Sequence, residues 1–262
     1  MQVLQTNGIA THWREDGDAS GVPVVFANSL GTDLRLWDAV LPLLPASFRY
    51  IRYDMRGHGL TTCPPAPYDM DTLTADAEAL IEGLGLGPVI FVGLSIGGMI
   101  GQALAAKRPD LIRALVLSNT AARMGDAAMW ENRIAQIDAG GIAALSGAVL
   151  DRWFGPVLRH TPAVAPWEAM LTRTPKSGYL GCCAAIAGCD LTPGTSTLRL
   201  PALGIAGEAD GASPPALVAA TCDLIPGSRF HIIPGAGHLP CVEAPQSYAE
   251  ILTPFLKENA HV

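Results

Sequence analysis

Four β-prone residues, Val89-Ile90-Phe91-Val92, run directly into Gly93-Leu94-Ser95-Ile96-Gly97, and the helix-compatible segment Met99–Lys107 follows at once. A strand that becomes a helix across a single serine needs a sharp, strained turn, and glycines two residues to either side let the two elements approach without Cβ clashes. Such a turn aims the serine hydroxyl out of the sheet. It also leaves the Ile96 amide unpaired at a helix N-terminus, where developing negative charge is favoured. The five-residue pattern alone would also suit a plain glycine-rich turn. The strand before it and the helix after it point instead to a nucleophile.

Strand and helix patterns alternate around this turn. Val3–Thr6 and Ile9–Arg14 flank Asn7-Gly8, which predicts a hairpin with a type I′ turn. Strands are expected over Val22–Ala27, Phe48–Tyr53, Val89–Val92, Ile112–Leu117, Ala202–Ala206 and Arg229–Ile233. Helical patterns cover Leu34–Leu44, Asp71–Leu84, Pro214–Leu224 and Pro245–Lys257. This spacing predicts an α/β chain with a mostly parallel central sheet, helices on both faces and the active edge at the carboxyl ends of the strands. From Ala121 to Ala187 the alternation lapses into helical patches, Ala128–Ala139 and Ile142–Phe154, interrupted by glycine and proline. The expected organisation is a core of residues 1–120 and 188–262 with a helical cap over 121–187.

A chain of 262 residues suits one sizeable domain. It contains no run of 18 or more apolar residues, so no membrane span is expected. The opening Met1-Gln2-Val3-Leu4-Gln5-Thr6 has neither a basic n-region nor an apolar h-region, which points to the cytoplasm. A net charge of −7 with no basic stripe argues against nucleic acid as a partner. The six cysteines match neither a zinc ligand set nor a Cys-x-x-Cys pair, so reduced, packed thiols are expected.

A serine needs a base, and the base needs an orienting acid. His238, in the glycine-bearing loop after the last strand, is the best base. His58 is its rival, while His12, His160 and His261 lie in the hairpin, the insertion and the tail, and His231 reads as a packed strand residue. The acid should end a strand between Ser95 and His238. Asp210 fits, with Glu208 as the neighbouring rival and helix capping as its alternative role. Asn119 occupies the other suitable strand end but cannot carry the charge. Two amides should face an oxyanion, Ile96 N–H and one from the turn after Val22–Ala27, where Leu30 is the choice.

The order Ser95…Asp210…His238, the elbow and the late insertion resemble the α/β-hydrolase fold. The stretches Asn28-Ser29-Leu30-Gly31-Thr32-Asp33, Tyr53–Gly59, Gly93–Met99, Asn119–Arg123 and Arg152-Trp153-Phe154 further resemble the bacterial 3-oxoadipate enol-lactonases. Asn28-Ser29 departs from the His-Gly common before the oxyanion residue in the wider superfamily. The resemblance implies hydrolysis of a small anionic enol-lactone to 3-oxoadipate in the β-ketoadipate route, with no cofactor and no metal. The alternative readings of the chain are another small-ester hydrolase or a carbon–carbon bond hydrolase on the same triad and, from a different class, a non-turnover small-ligand receptor or a cofactor-free haloperoxidase-like enzyme on the same scaffold.

An anionic substrate needs a local cation in so acidic a chain. The insertion holds six basic residues against five acidic ones. Arg133, beside Trp130, is the first choice of anchor and Arg152 the second, with solvated surface arginines as the alternative. Trp130 and Trp153 are expected as pocket walls or cap core. The oligomeric state is left open.

Overall fold

Asn7 and Gly8 turn the chain through φ angles of 46° and 76°, the pair of positive values that a type I′ turn requires, and so fold β1 (Gln2–Thr6) onto β2 (Ile9–Gly17). The computed structural model describes residues 1–260, and their strands form one sheet. The further strands are β3 (Pro23–Ala27), β4 (Arg49–Tyr53), β5 (Val89–Leu94), β6 (Ile112–Ser118), β7 (Ala202–Gly207) and β8 (Arg229–Ile233). Their order is β1-β2-β4-β3-β5-β6-β7-β8, with β2 antiparallel to both neighbours and every later pairing parallel.

Residues 24–27 of β3, all of β5 and all of β7 are buried, as expected of parallel strands covered on both faces. Helix α1 (Met70–Gly83) is capped by Asp69, which accepts the Thr72 amide at 2.7 Å, and carries the chain from β4 across β3 to β5. Helix α2 (Ile96–Lys107) then leads from β5 to β6. The chain therefore departs in opposite directions from β3 and from β5. The turns after these two strands meet at the switch point, where open α/β sheets place their ligands.

Between β6 and β7 come α3 (Ala127–Gly140), a 3₁₀ turn (Ile142–Leu145), α4 (Ser146–Trp153), α5 (Ala165–Arg173), α6 (Lys176–Ala187) and the short α7 (Thr192–Thr195). After β7 follow α8 (Pro215–Cys222), then β8, the short α9 (Pro240–Glu243) and α10 (Pro245–Glu258). No described helix is long and apolar enough to cross a membrane.

Two local expectations fail. Leu34–Leu44 is not one helix but two 3₁₀ turns, Leu34–Trp37 and Leu41–Leu43, because Pro42 has no amide to continue the ladder. His231 is exposed rather than packed, because β8 is the edge strand and turns Arg229, His231 and Ile232 toward solvent.

Candidate active site

Ser95 stands between β5 and α2 at φ 58° and ψ −121°, a conformation that costs a non-glycine residue roughly 1–3 kcal/mol and persists only where its surroundings enforce it. They do so here. The Ser95 amide donates to the Ser118 carbonyl at 2.9 Å, and its own carbonyl accepts the Thr120 hydroxyl at 2.6 Å and the Gly98 amide at 2.9 Å. A Cβ on Gly93 would collide with the Gly97 carbonyl, and one on Gly97 with the Ala27 carbonyl. The elbow is thus pressed against the end of β3. Ile96 opens α2, and its amide has no acceptor among the described residues.

The loop after β8 carries His238, which is 2% exposed. Its Nδ1 lies 2.9 Å from Asp210 Oδ2. The Asp210 carboxylate accepts four further hydrogen bonds, from the Asn119 side-chain amide (2.7 Å), the Ser213 hydroxyl (2.8 Å) and the backbone amides of Ala212 (2.7 Å) and Ser213 (3.1 Å). Burial by itself would raise its pKa. The adjoining His238 ring, the Asn119 amide and the Ala212 amide outweigh burial and hold the carboxyl below its ordinary value. An acceptor-only oxygen at Nδ1 fixes the ring with its proton there and leaves Nε2 as the basic nitrogen.

That nitrogen faces the turn after β3, 3.4 Å from Ser29 Oγ. Among the described residues no hydrogen bond joins Ser95 Oγ to the ring. Both nevertheless border the same Asn28–Gly31 turn, Ser95 through the Gly97 contact and His238 through Ser29. Leu30 sits in this turn, and its amide has no acceptor among the described residues.

The other candidates are placed elsewhere. Glu208 accepts the Gly235 amide at 2.9 Å instead of meeting His238. His12 pairs with Asp54 at 2.7 Å, and both line a cavity of about 890 Å³ that includes none of Ser95, Asp210, His238, Leu30 and Ile96. His58 is fully buried against Gly31 and the Arg56 carbonyl, His160 is exposed, and His261 lies outside the described residues. The six cysteines are free, and Cys241 is buried with its thiol pushed well up by burial. No group of three or more potential metal ligands occurs among the described residues.

Helices between β6 and β7 reach the turn after β3. Gly31 packs against Leu171, Tyr179 and the ring of Trp153. Trp130 is buried, donates to the Met124 carbonyl at 2.6 Å and lies beneath the Arg133 guanidinium, 5.3 Å from ring centroid to charge. The half-buried Arg152 is pushed below its usual pKa by burial and then by the positive charge of Arg133. Two cations thus share one region, and neither forms an ion pair with a described carboxylate.

Sequence reasoning missed several supports. Ser213 and Asn119 hold Asp210. Glu243 accepts the Gly237 amide at 2.6 Å and the Gly155 amide at 2.8 Å, joining the His238 loop to the insertion. The carbonyl of Trp153, at the end of α4, accepts the His238 amide at 2.8 Å. The small loop Gly211-Ala212-Ser213 and the acid five residues past His238 were the available hints.

This arrangement can be set beside known proteins. The chain is 30% identical to 3-oxoadipate enol-lactonase 2 of Acinetobacter baylyi over 97% of its length and 96% of that protein's. Its fold superposes on an enol-lactonase from Burkholderia xenovorans LB400 with a TM-score of 0.94 at 36% identity, covering 98% of this chain and 100% of that one. A malate-bound thermophilic esterase from Thermogutta terrifontis follows with a TM-score of 0.92 at 28% identity, covering 99% and 100%. The family description "alpha/beta hydrolase fold" matches residues 22–245, and the chain belongs to that family.

Proposed function

We propose that the chain is a serine hydrolase that opens a small anionic enol-lactone, converting 3-oxoadipate enol-lactone to 3-oxoadipate in the β-ketoadipate pathway. The observation that carries this reading is the Asp210–His238 pair at 2.9 Å, with Nε2 turned toward the β3 turn on which the Ser95 elbow rests. Full-length similarity to two enol-lactonases supports the substrate class.

In this reading Ser95 attacks the ring carbonyl while His238 Nε2 takes its proton and Asp210 steadies the imidazolium. The amides of Leu30 and Ile96 receive the oxyanion, each such donor being worth about 10²–10³ in rate. The ring oxygen leaves as an enolate still tethered to the acyl group. It is protonated, relaxes to the ketone and so returns poorly. Water activated by His238 then cleaves the acyl-enzyme. A single attack by water, with His238 as base, is the competing course.

Residues 121–187 act as a cap over a core of 1–120 and 188–262, and its unpaired Arg133 and Arg152 meet the substrate carboxylate. Trp130 and Trp153 wall the pocket. The chemistry requires no metal or cofactor. The deciding assay follows consumption of the enol-lactone against a panel of neutral esters, with and without chelator. Preference for the lactone, unchanged by chelator, supports the proposal. Preference for neutral aryl esters makes the chain a general esterase, as the malate-bound neighbour is an esterase, and binding without turnover makes it a receptor.

A further inference from the structure

His58 lies in none of the roles above, yet it is completely buried and makes a specific hydrogen bond next to the oxyanion turn. Its Nδ1 is 3.1 Å from the Arg56 carbonyl, which can only accept, so Nδ1 carries the proton. Its Nε2 is 3.0 Å from the Gly31 amide, which can only donate, so Nε2 offers its lone pair. One neutral tautomer satisfies both partners. The backbone on either side is fixed as well, the His58 amide donating to Met55 at 2.9 Å and its carbonyl accepting Thr61 at 3.0 Å.

The Leu30 amide points from the Ser29–Leu30 peptide, whose carbonyl accepts the Thr32 amide at 3.1 Å and the Thr32 hydroxyl at 2.8 Å. The next peptide, Leu30–Gly31, is held through its N–H by His58 alone. From above it is covered by Leu171 and Tyr179, against which Gly31 packs at φ 80°. Asn28 is tied to Tyr53 and Trp37, and Leu34 to Asp54. The peptides on both sides of Leu30 are therefore held, the first through the Ser29 carbonyl and the second through the Gly31 N–H, while the Leu30 amide has no acceptor among the described residues.

We propose that His58 is a positioning residue for the oxyanion site: by accepting the Gly31 amide it locks the Leu30–Gly31 peptide and so aims the Leu30 N–H at the developing charge. This inference rests on the proposed hydrolase reading and adds a role to it. Protonation of the ring would set two N–H groups against each other. Burial opposes that, lowering the His58 pKa against the pull of the Asp54 and Asp33 carboxylates.

The test compares His58→Leu, which has no acceptor, with His58→Gln, whose Oε1 falls near the Nε2 position, and His58→Asn, which reaches only the Nδ1 position. Active sites are counted by titration with a phosphonylating agent that labels Ser95, so that misfolded protein does not enter kcat. The expected result is a fall in kcat per titrated site of about 10-fold in the Leu and Asn variants, a part of what a whole oxyanion donor contributes, with KM nearly unchanged. A boronic acid that forms a tetrahedral adduct at Ser95 should weaken in parallel, and the Gln variant should recover most of both losses. If the Leu variant does not fold, the contrast between Gln and Asn carries the same reading. Equal kcat per titrated site in all three, or no recovery in a folded Gln variant, overturns the proposal. Failure of the wild type to be labelled or to turn over a lactone or ester would instead overturn the hydrolase reading itself.

Discussion

The backbone of His238 hangs on the backbone of Trp153: the amide of the first donates to the carbonyl of the second at 2.8 Å, and the Leu239 amide reaches the same carbonyl at 3.3 Å. The proposed base is thus registered against the last turn of a helix from the insertion, not only against the sheet. Glu243 reinforces the join from the other side through Gly237 and Gly155.

Glu243→Gln should therefore cost rate. Glutamine keeps one acceptor and sets an NH₂ against an amide donor, so the join to Gly237 and Gly155 is half lost and the His238 loop loosens. The kcat measured at saturating substrate should fall. An unchanged kcat would mean that the two hydrogen bonds do not position the base.

Ser95→Ala should lower kcat by at least about 10³-fold while leaving lactone binding intact. The variant should remain folded, because the bonds that hold the elbow come from the Ser95 backbone. Calorimetric titration with a slowly turned-over lactone, beside the rate assay, checks both halves.

Asp210 makes stability depend on pH in a definite direction. Its folded pKa lies below the ordinary 3.8, so the folded state holds this proton less tightly than the unfolded chain does. Its contribution is fully present above 3.8 and is lost as pH falls through the lower, folded value. Glu243 acts oppositely: burial, only partly offset by its amide partners, raises its pKa, so its ionised form weighs against the fold above that raised value, and protonation relieves the penalty as pH falls toward the ordinary 4.5. Asp210→Asn should flatten the acid limb of a stability–pH curve measured below pH 3.8, and should lower kcat by about 10⁴-fold by favouring the wrong imidazole tautomer.

Arg133→Ala should raise KM for the anionic lactone by about 10-fold, the loss of one charge-assisted contact, and hardly change KM for a neutral ester. Relief of Arg152 from its like-charged neighbour makes the double variant with Arg152→Ala more severe than Arg133→Ala alone. Equal effects on charged and neutral substrates would remove Arg133 from the anchoring role.

What could be read in the chain beforehand follows the range of the interactions concerned. The hairpin at Asn7-Gly8, the elbow at Ser95 and the strand ends that bring Asp210 and His238 together are dictated within a few residues, and turn chemistry and apolar runs reveal them. The 3₁₀ turns over Leu34–Leu43 were hidden by an apolar spacing that suits an α-helix, with Pro42 the residue that breaks it. The exposure of His231 depends on β8 having no outer neighbour, which local pattern cannot express. Glu243 and Ser213 were missed, and His58 was read only as a rival base, for a different reason. Each acts through a hydrogen bond whose partner is fixed only when distant loops converge.

The position of β8 bears on how the molecule fails. As an edge strand paired on one side only, with much of its surface in water, it belongs to the part of a sheet that opens first under mild denaturant. The loop bearing His238 leaves from its end. Fraying of this single strand would disarm the proposed catalyst while β3, β5 and β6 remain assembled, so inactivation should run ahead of the loss of secondary structure as urea is raised.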